Sequence, residues 1–343
     1  MAGKSVNFRE QSFRKKPIRD LQLAIEGTPI EPLVQSFNEE LKAVGIERLR
    51  PRFYLSTEWG VPFGTIAIGI PFYLAHPDLV EMHGEEVGHI EGYSDTDILK
   101  YFRHEMGHVV NYAYKLYEDE TWIKTFGSIT QPYLEDYRPE PFSTRFVQHL
   151  PGWYAQKHPD EDWSETFAVW MTPDSAWRET YVGWKEALRK LQYCDKKMTS
   201  LRKVDPLVTQ VDLDEDVKDL AYSVDEYYVH FAPTTVAVPP GLDGALKAMF
   251  EDFGRPDSSP KTVNRVPASQ LIRKLERHLM ANVFRWTGHF PEQTRLLLRH
   301  FAKRADELKQ VYPEDREAEV AVALTTLVTS LATTYVHRGS YLA

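Results

Sequence analysis

Apolar residues return at three- and four-residue intervals over long stretches of this chain, and two short blocks between them crowd β-branched and aromatic residues together. From Glu31 to Val44 the positions Leu33, Val34, Phe37, Leu41 and Val44 follow the period of an amphipathic helix. Arg52 to Ser56 and Gly64 to Leu74 are rich in Thr, Ile, Phe and Tyr and are flanked by turn formers, which predicts two or three strands for that helix to pack on. Ser94 then stands as an N-cap with Asp97 three residues on, and Ile98, Leu99, Phe102, Met106, Val109, Val110 and Ala113 resume the helical spacing. A further helix is predicted to start near Asp160, behind Pro159, and to stop before Pro173.

Beyond about Leu201 the pattern is mainly helical, with a Pro/Gly break at Val238 to Gly244 and a loop at Gly254 to Lys261. Three long amphipathic segments close the chain: Ala268 to Trp286, Pro291 to Val311 and Glu314 to His337. No internal repeat is visible. The predicted organisation is a basic tail over 1–20, an α+β domain over 21–200 and a mainly helical domain over 201–343.

Composition narrows the function classes. With 42% hydrophobic and 27% charged residues the chain reads as a folded globular protein. A net charge of -9 argues against a nucleic-acid partner, because phosphate neutralisation needs a basic face and only Arg9 to Arg19 supplies one, read here as a solvated tail. Cys194 is the single cysteine, which excludes an intrachain disulfide and a cysteine-based zinc site. The N-terminus lacks the apolar core of a signal peptide, so a cytoplasmic location is expected. Val320 to Val336 is apolar but interrupted by six Ser and Thr residues, and is read as a buried or half-buried helix with no membrane partner.

The chemistry concentrates in Arg103-His104-Glu105-Met106-Gly107-His108, an HExxH pattern inside a predicted helix. Four residues advance a helix by about 400°, so His104 and His108 project from adjacent turns of one side and can share an ion. Glu105 lies about 100° around from His104, where it can act as a general base without being a ligand. Zinc normally takes three protein ligands and leaves one position open, so a third ligand is expected elsewhere. The best candidate segment is His158 to Ala168, in which Trp163, Phe167, Trp170 and Met171 form an apolar face and Glu165 projects from the opposite side.

HEMGH followed some fifty residues later by HPDEDWSETFA resembles the zinc-binding metallopeptidases of the gluzincin group over about Asp95 to Met171. The resemblance implies a zincin-like domain with a small mixed sheet, Zn²⁺ held by His104, His108 and Glu165, Glu105 as base, and a peptide or protein substrate. Many gluzincins place Asp four residues after the ligand Glu, as a partner for a metal-binding His; counted from Glu165 that position is Val169, so Asp162 or Glu161 is expected to serve instead.

Other residues could complete the site. His158, at the start of the second helix, is a candidate donor to a developing oxyanion, and Tyr154, Tyr222, Tyr227, Tyr228 and His230 offer the same chemistry. His83 to His89 carries potential ligands, but its two glycines predict a loop. Gly64 to Tyr73 is a candidate edge strand for an extended peptide. Two other functions fit the residues: a zinc-containing peptide-binding module with little turnover, and a zinc amidase acting on a modified small substrate.

Overall fold

The structure, a computed structural model, describes residues 11–87, 89–133, 137–229, 242–252 and 264–341. It is mostly helical with little sheet, an α+β composition, and its chain separates into two compact units, Met1–Glu86 with Ile90–Phe231 and Val87–His89 with Ala232–Ala343. The first contains α1 (Gln11–Arg14), α2 (Ile30–Ala43), β1 (Arg52–Ser56), β2 (Ala67–Pro71), α3 (Pro77–Glu86), α4 (Asp95–Ala113), α5 (Glu120–Phe126), α6 (Pro159–Met171), α7 (Trp177–Thr180), α8 (Lys185–Leu201) and α9 (Val224–Val229).

Helix α4 is the spine of this unit. Ser94 caps it as the sequence suggests, its hydroxyl accepting from the Asp97 backbone N–H at 3.2 Å. From Phe102 to Ala113 every residue of α4 is buried, so the helix is surrounded instead of half exposed. Phe102 meets Phe37 of α2 and Phe53 of β1, with ring centroids 5.4 and 5.3 Å apart. Arg103 turns to α2 and forms a two-pronged pair with Glu40 at 2.8 and 2.7 Å. The other side of α4 receives α6, and the two backbones come very close. A Cβ placed on Gly107 would stand 2.6 Å from Ser164 Cα, so only glycine permits this approach. Trp163 fixes the same crossing by donating its indole N–H to the Gly107 carbonyl at 2.8 Å.

Strands β1 and β2 pair in parallel, Arg52 with Ala67 through Ser56 with Pro71, where a mixed sheet was expected. All five residues of β2 are buried, so Gly64 to Tyr73 is not the exposed edge strand. The chain before it, at Gly60, joins Gly69 through one antiparallel bridge. His83 lies in α3, not in a loop; its ring stacks on Tyr73 at 3.7 Å and its Nδ1 is 3.2 Å from the Tyr228 hydroxyl, a packed site that offsets the helix cost of Gly84.

Two predicted boundaries move. Residues from 201 to 229 belong to the first unit, lying along its strands and helices through Val217 N–H to Leu55 O, Ile66 N–H to Gln210 O and Leu207 N–H to Ala113 O. The basic segment is no free tail from residue 13 on: Ile18 is buried, and Arg14 pairs with Glu86 and Asp225.

The second unit holds α10 (Asp243–Met249), β3 (Glu251–Asp252), β4 (Arg265–Pro267), α11 (Ala268–Thr287), α12 (Pro291–Glu307), β5 (Gln310–Pro313) and α13 (Glu317–Arg338). The three long helices match the sequence reading except that α12 stops at Glu307. Lys309 then takes a left-handed conformation, φ 52°, and the chain turns into β5, which pairs antiparallel with β3 and β4. These strands are too short to impose a period on the sequence. Val320, Leu324, Val328, Leu331 and Ala332 of α13 enter the core with Leu297, Leu298 and Phe301 of α12. The stretch Glu314–Arg338 is long and apolar enough to cross a membrane by length and composition, and 28% of its most apolar window is buried. The predicted break at 238–244 and the loop at 254–261 lie largely or wholly outside the described residues.

Candidate metal centre

Where α4 crosses α6, three ligand atoms converge. His104 Nε2 lies 3.0 Å from Glu161 Oε2 and 3.2 Å from His108 Nε2, and His108 Nε2 lies 3.3 Å from the same Glu161 oxygen. All three residues are buried and together could hold a metal ion. Among the described residues no other such group is found.

The opposite ring nitrogens explain why a cation belongs here. His104 Nδ1 is 2.9 Å from Glu165 Oε1, and His108 Nδ1 is 3.0 Å from Asp160 Oδ2, the latter a close ion-pair contact and not a well-aligned hydrogen bond. Carboxylates on the Nδ1 side keep the Nδ1 protons there, which turns both Nε2 lone pairs toward each other and toward the Glu161 carboxylate. Three lone pairs meeting at about 3 Å repel unless a positive charge lies among them, and either a shared metal ion or protons on the imidazoles can supply it. A tetrahedral zinc with bonds of about 2.0–2.1 Å spaces its ligand atoms by roughly 3.3–3.4 Å, close to the edges of this triangle. Without a metal ion, the same carboxylates favour protonated imidazoles. Burial lowers the pKa of His104, but Glu161 and Glu165 outweigh it and raise it to about 9. Burial likewise opposes charge on His108, yet Asp160 and Glu161 hold it well above its ordinary value.

The sequence placed Glu165 as third ligand, and here the structure differs. Glu165 is 0% exposed and sits behind His104. Its oxygens accept from His104 Nδ1 and from the backbone N–H groups of His149 at 3.0 Å and Leu150 at 2.9 Å. Glu161, one turn earlier, takes the position facing the histidines. Counted from Glu161, the residue four further on is Glu165. Asp162, the other candidate for that partner, points elsewhere: it pairs with Lys190 of α8 at 2.6 Å. Asp160 was not singled out by the sequence. It is held by Asn111 Nδ2 at 2.6 Å and the Tyr112 hydroxyl at 2.5 Å, both of which donate to it.

Glu105 lies with His104, His108 and Glu161 in the wall of a cleft of about 370 Å³. Burial raises its pKa, against the two histidines, which lower it. A carboxylate with a raised pKa is a stronger base than an exposed one.

His158 does not aim a donor into the cleft. Its Nδ1 accepts from the Asp160 backbone N–H at 3.2 Å as the cap of α6, which leaves the ring proton on Nε2, 3.1 Å from the Gln131 carbonyl. Tyr154 fits that part better. Its ring lies 5.5 Å from the His104 ring, it lines the cleft, and burial together with Glu161 holds its phenol well above its usual pKa, so it keeps its proton. A left-handed pair, Gly152 at φ 81° and Trp153 at φ 62°, turns the chain immediately before it. The remaining tyrosines are used elsewhere: Tyr227 donates to the Thr57 carbonyl, Tyr228 meets His83, and Tyr222 is not in the cleft wall. His230 lies outside the described residues.

No protein-family model matches the chain, and the comparisons with curated proteins and with solved structures give no match either.

Proposed function

We propose that this chain is a zinc-dependent metallohydrolase, most simply a peptidase, with His104, His108 and Glu161 as ligands and Glu105 as general base. One observation carries the reading: a non-ligand carboxylate of raised pKa stands in the same cleft wall as a complete three-ligand triangle. A binding module has no need of that base. The resemblance to gluzincins implied Glu165 as the ligand; counted from Glu161 instead, the four-residue spacing from ligand to histidine partner is kept by Glu165, and zinc suits two imidazoles and a carboxylate.

Bound zinc would act as a Lewis acid, lowering the pKa of a water and polarising a substrate carbonyl. Glu105 takes the proton from the attacking water and returns it to the leaving nitrogen. Tyr154 donates to the oxygen that gains charge. Glu165 and Asp160 keep the two imidazoles in the tautomer and orientation that ligation needs. Gly60 and Val61 border the cleft, and their backbone offers an extended peptide something to pair with.

The test is Glu105→Gln assayed against a broad peptide and amide library. Zinc content should stay at about one per chain while hydrolysis falls ~100-fold or more. Cleavage at the unaltered rate by a zinc-loaded Glu105→Gln protein would remove Glu105 from the mechanism.

A further inference from the structure

The two oxygens of Glu161 have different neighbours. Oε2 faces the histidine pair, at 3.0 and 3.3 Å from their Nε2 atoms. Oε1 accepts the Tyr133 hydroxyl at 2.7 Å. A carboxylate can meet a divalent cation with one oxygen or with both, and a donor already seated on one of them biases that choice. It occupies a lone pair and fixes the plane of the carboxylate. Tyr133 is itself held. Lys157 Nζ lies 4.3 Å from its ring centroid, and its ring is 5.3 Å from that of His158, whose nitrogens are anchored to the Asp160 backbone and the Gln131 carbonyl. Tyr154 stands next in line, its hydroxyl 3.3 Å from that of Tyr133.

We infer that Tyr133 is a positioning residue that restricts Glu161 to ligation through a single oxygen, an inference that rests on the reading of His104, His108 and Glu161 as a metal centre. Its consequence is an open coordination position, which hydrolysis requires and which a two-oxygen carboxylate would fill. The sequence gives no sign of this, since Tyr133 lies 28 residues before Glu161 in a segment without periodicity.

Cobalt(II) in place of zinc reports coordination number directly, because its visible absorption weakens when a fifth ligand atom binds. Tyr133→Phe removes the donor and leaves the ring, and at 46% exposure the side chain is not one on which folding depends. The cobalt-loaded Tyr133→Phe protein should show a weaker visible band per bound ion than the unaltered protein, with cobalt affinity reduced ~10–100-fold in competition with a chelator. Tyr154→Phe should keep the unaltered band. The band decides: if it is the same in Tyr133→Phe, whatever the affinity, the inference is overturned while the metal centre stands. If the unaltered protein binds no stoichiometric cobalt, both are overturned.

Discussion

The two glutamates of α6 make separable predictions, and replacing each by glutamine tells them apart. Glu165 accepts from three donors, His104 Nδ1 and the backbone N–H groups of His149 and Leu150, in a site with no solvent. A glutamine there has one acceptor oxygen and one NH₂ group. Turned one way, the NH₂ confronts the two backbone N–H groups; turned the other, it confronts His104 and forces the imidazole proton onto Nε2, where a ligand lone pair is needed. Each buried donor left without an acceptor costs about 1–3 kcal/mol, so the first orientation costs roughly 2–6 kcal/mol. That is a large share of a typical total of about 5–15 kcal/mol. Glu165→Gln should therefore lower the urea midpoint of the metal-free protein markedly, with zinc affinity down ~10–100-fold through the disturbed histidine. Glu161→Gln should do the reverse: a smaller change in the urea midpoint, because Glu161 borders the cleft and water can replace it, but a loss of zinc affinity beyond the ~10–100-fold of an outer partner. Urea unfolding and chelator competition on both variants suffice. Unaltered zinc affinity in Glu161→Gln, together with abolished binding and unaltered stability in Glu165→Gln, would restore Glu165 as the ligand and refute the assignment made here.

Two further predictions concern packing and pH. Gly107→Ala puts a methyl 2.6 Å from Ser164 Cα, so α4 and α6 must separate; a stability loss of about 1–3 kcal/mol and weaker zinc binding should follow, and melting and zinc titration unchanged from the unaltered protein would show that the contact is not needed. In the second unit His289 is buried between Thr294 Oγ1 at 2.7 Å and the Tyr341 hydroxyl at 3.1 Å, and burial lowers its pKa from 6.5 to about 4. The unfolded chain then binds more protons between these values, so this contribution is full above pH 6.5 and is lost as pH falls toward 4. The magnitude is about 3 kcal/mol. His289→Asn should flatten that part of the profile of melting temperature against pH, and an identical slope in both proteins would refute the assignment.

Much of the site was legible in the amino-acid sequence because it depends on local rules. Ser94 with Asp97 starts α4, Pro159 opens α6, and the four-residue spacing of His104 and His108 puts both imidazoles on one side of a helix before any neighbour is known. The same locality limited the reading on α6. Glu161 and Glu165 also stand four apart, so they share a face and differ mainly by one turn, about 5.4 Å, along the axis. Which of them meets the histidines depends on how far α6 slides along α4. That distance is set by Gly107 against Ser164 and by the Trp163 indole on the Gly107 carbonyl, contacts between residues 56 or more positions apart that no periodicity records. His158 was misread for a related reason: its residue type permits either a cap or a catalytic donor, and only the placement of the Asp160 N–H and the Gln131 carbonyl commits both nitrogens. The segment from 204 to 223 carries no strand pattern of its own because hydrogen bonds join it to Leu55, Ile66 and Ala113, distant in sequence. The sequence by itself therefore determined which helices exist and which residue types could bind a cation. Tertiary packing alone decided the register between those helices, because a helix repeats its face every turn and only contact with another element singles out one turn.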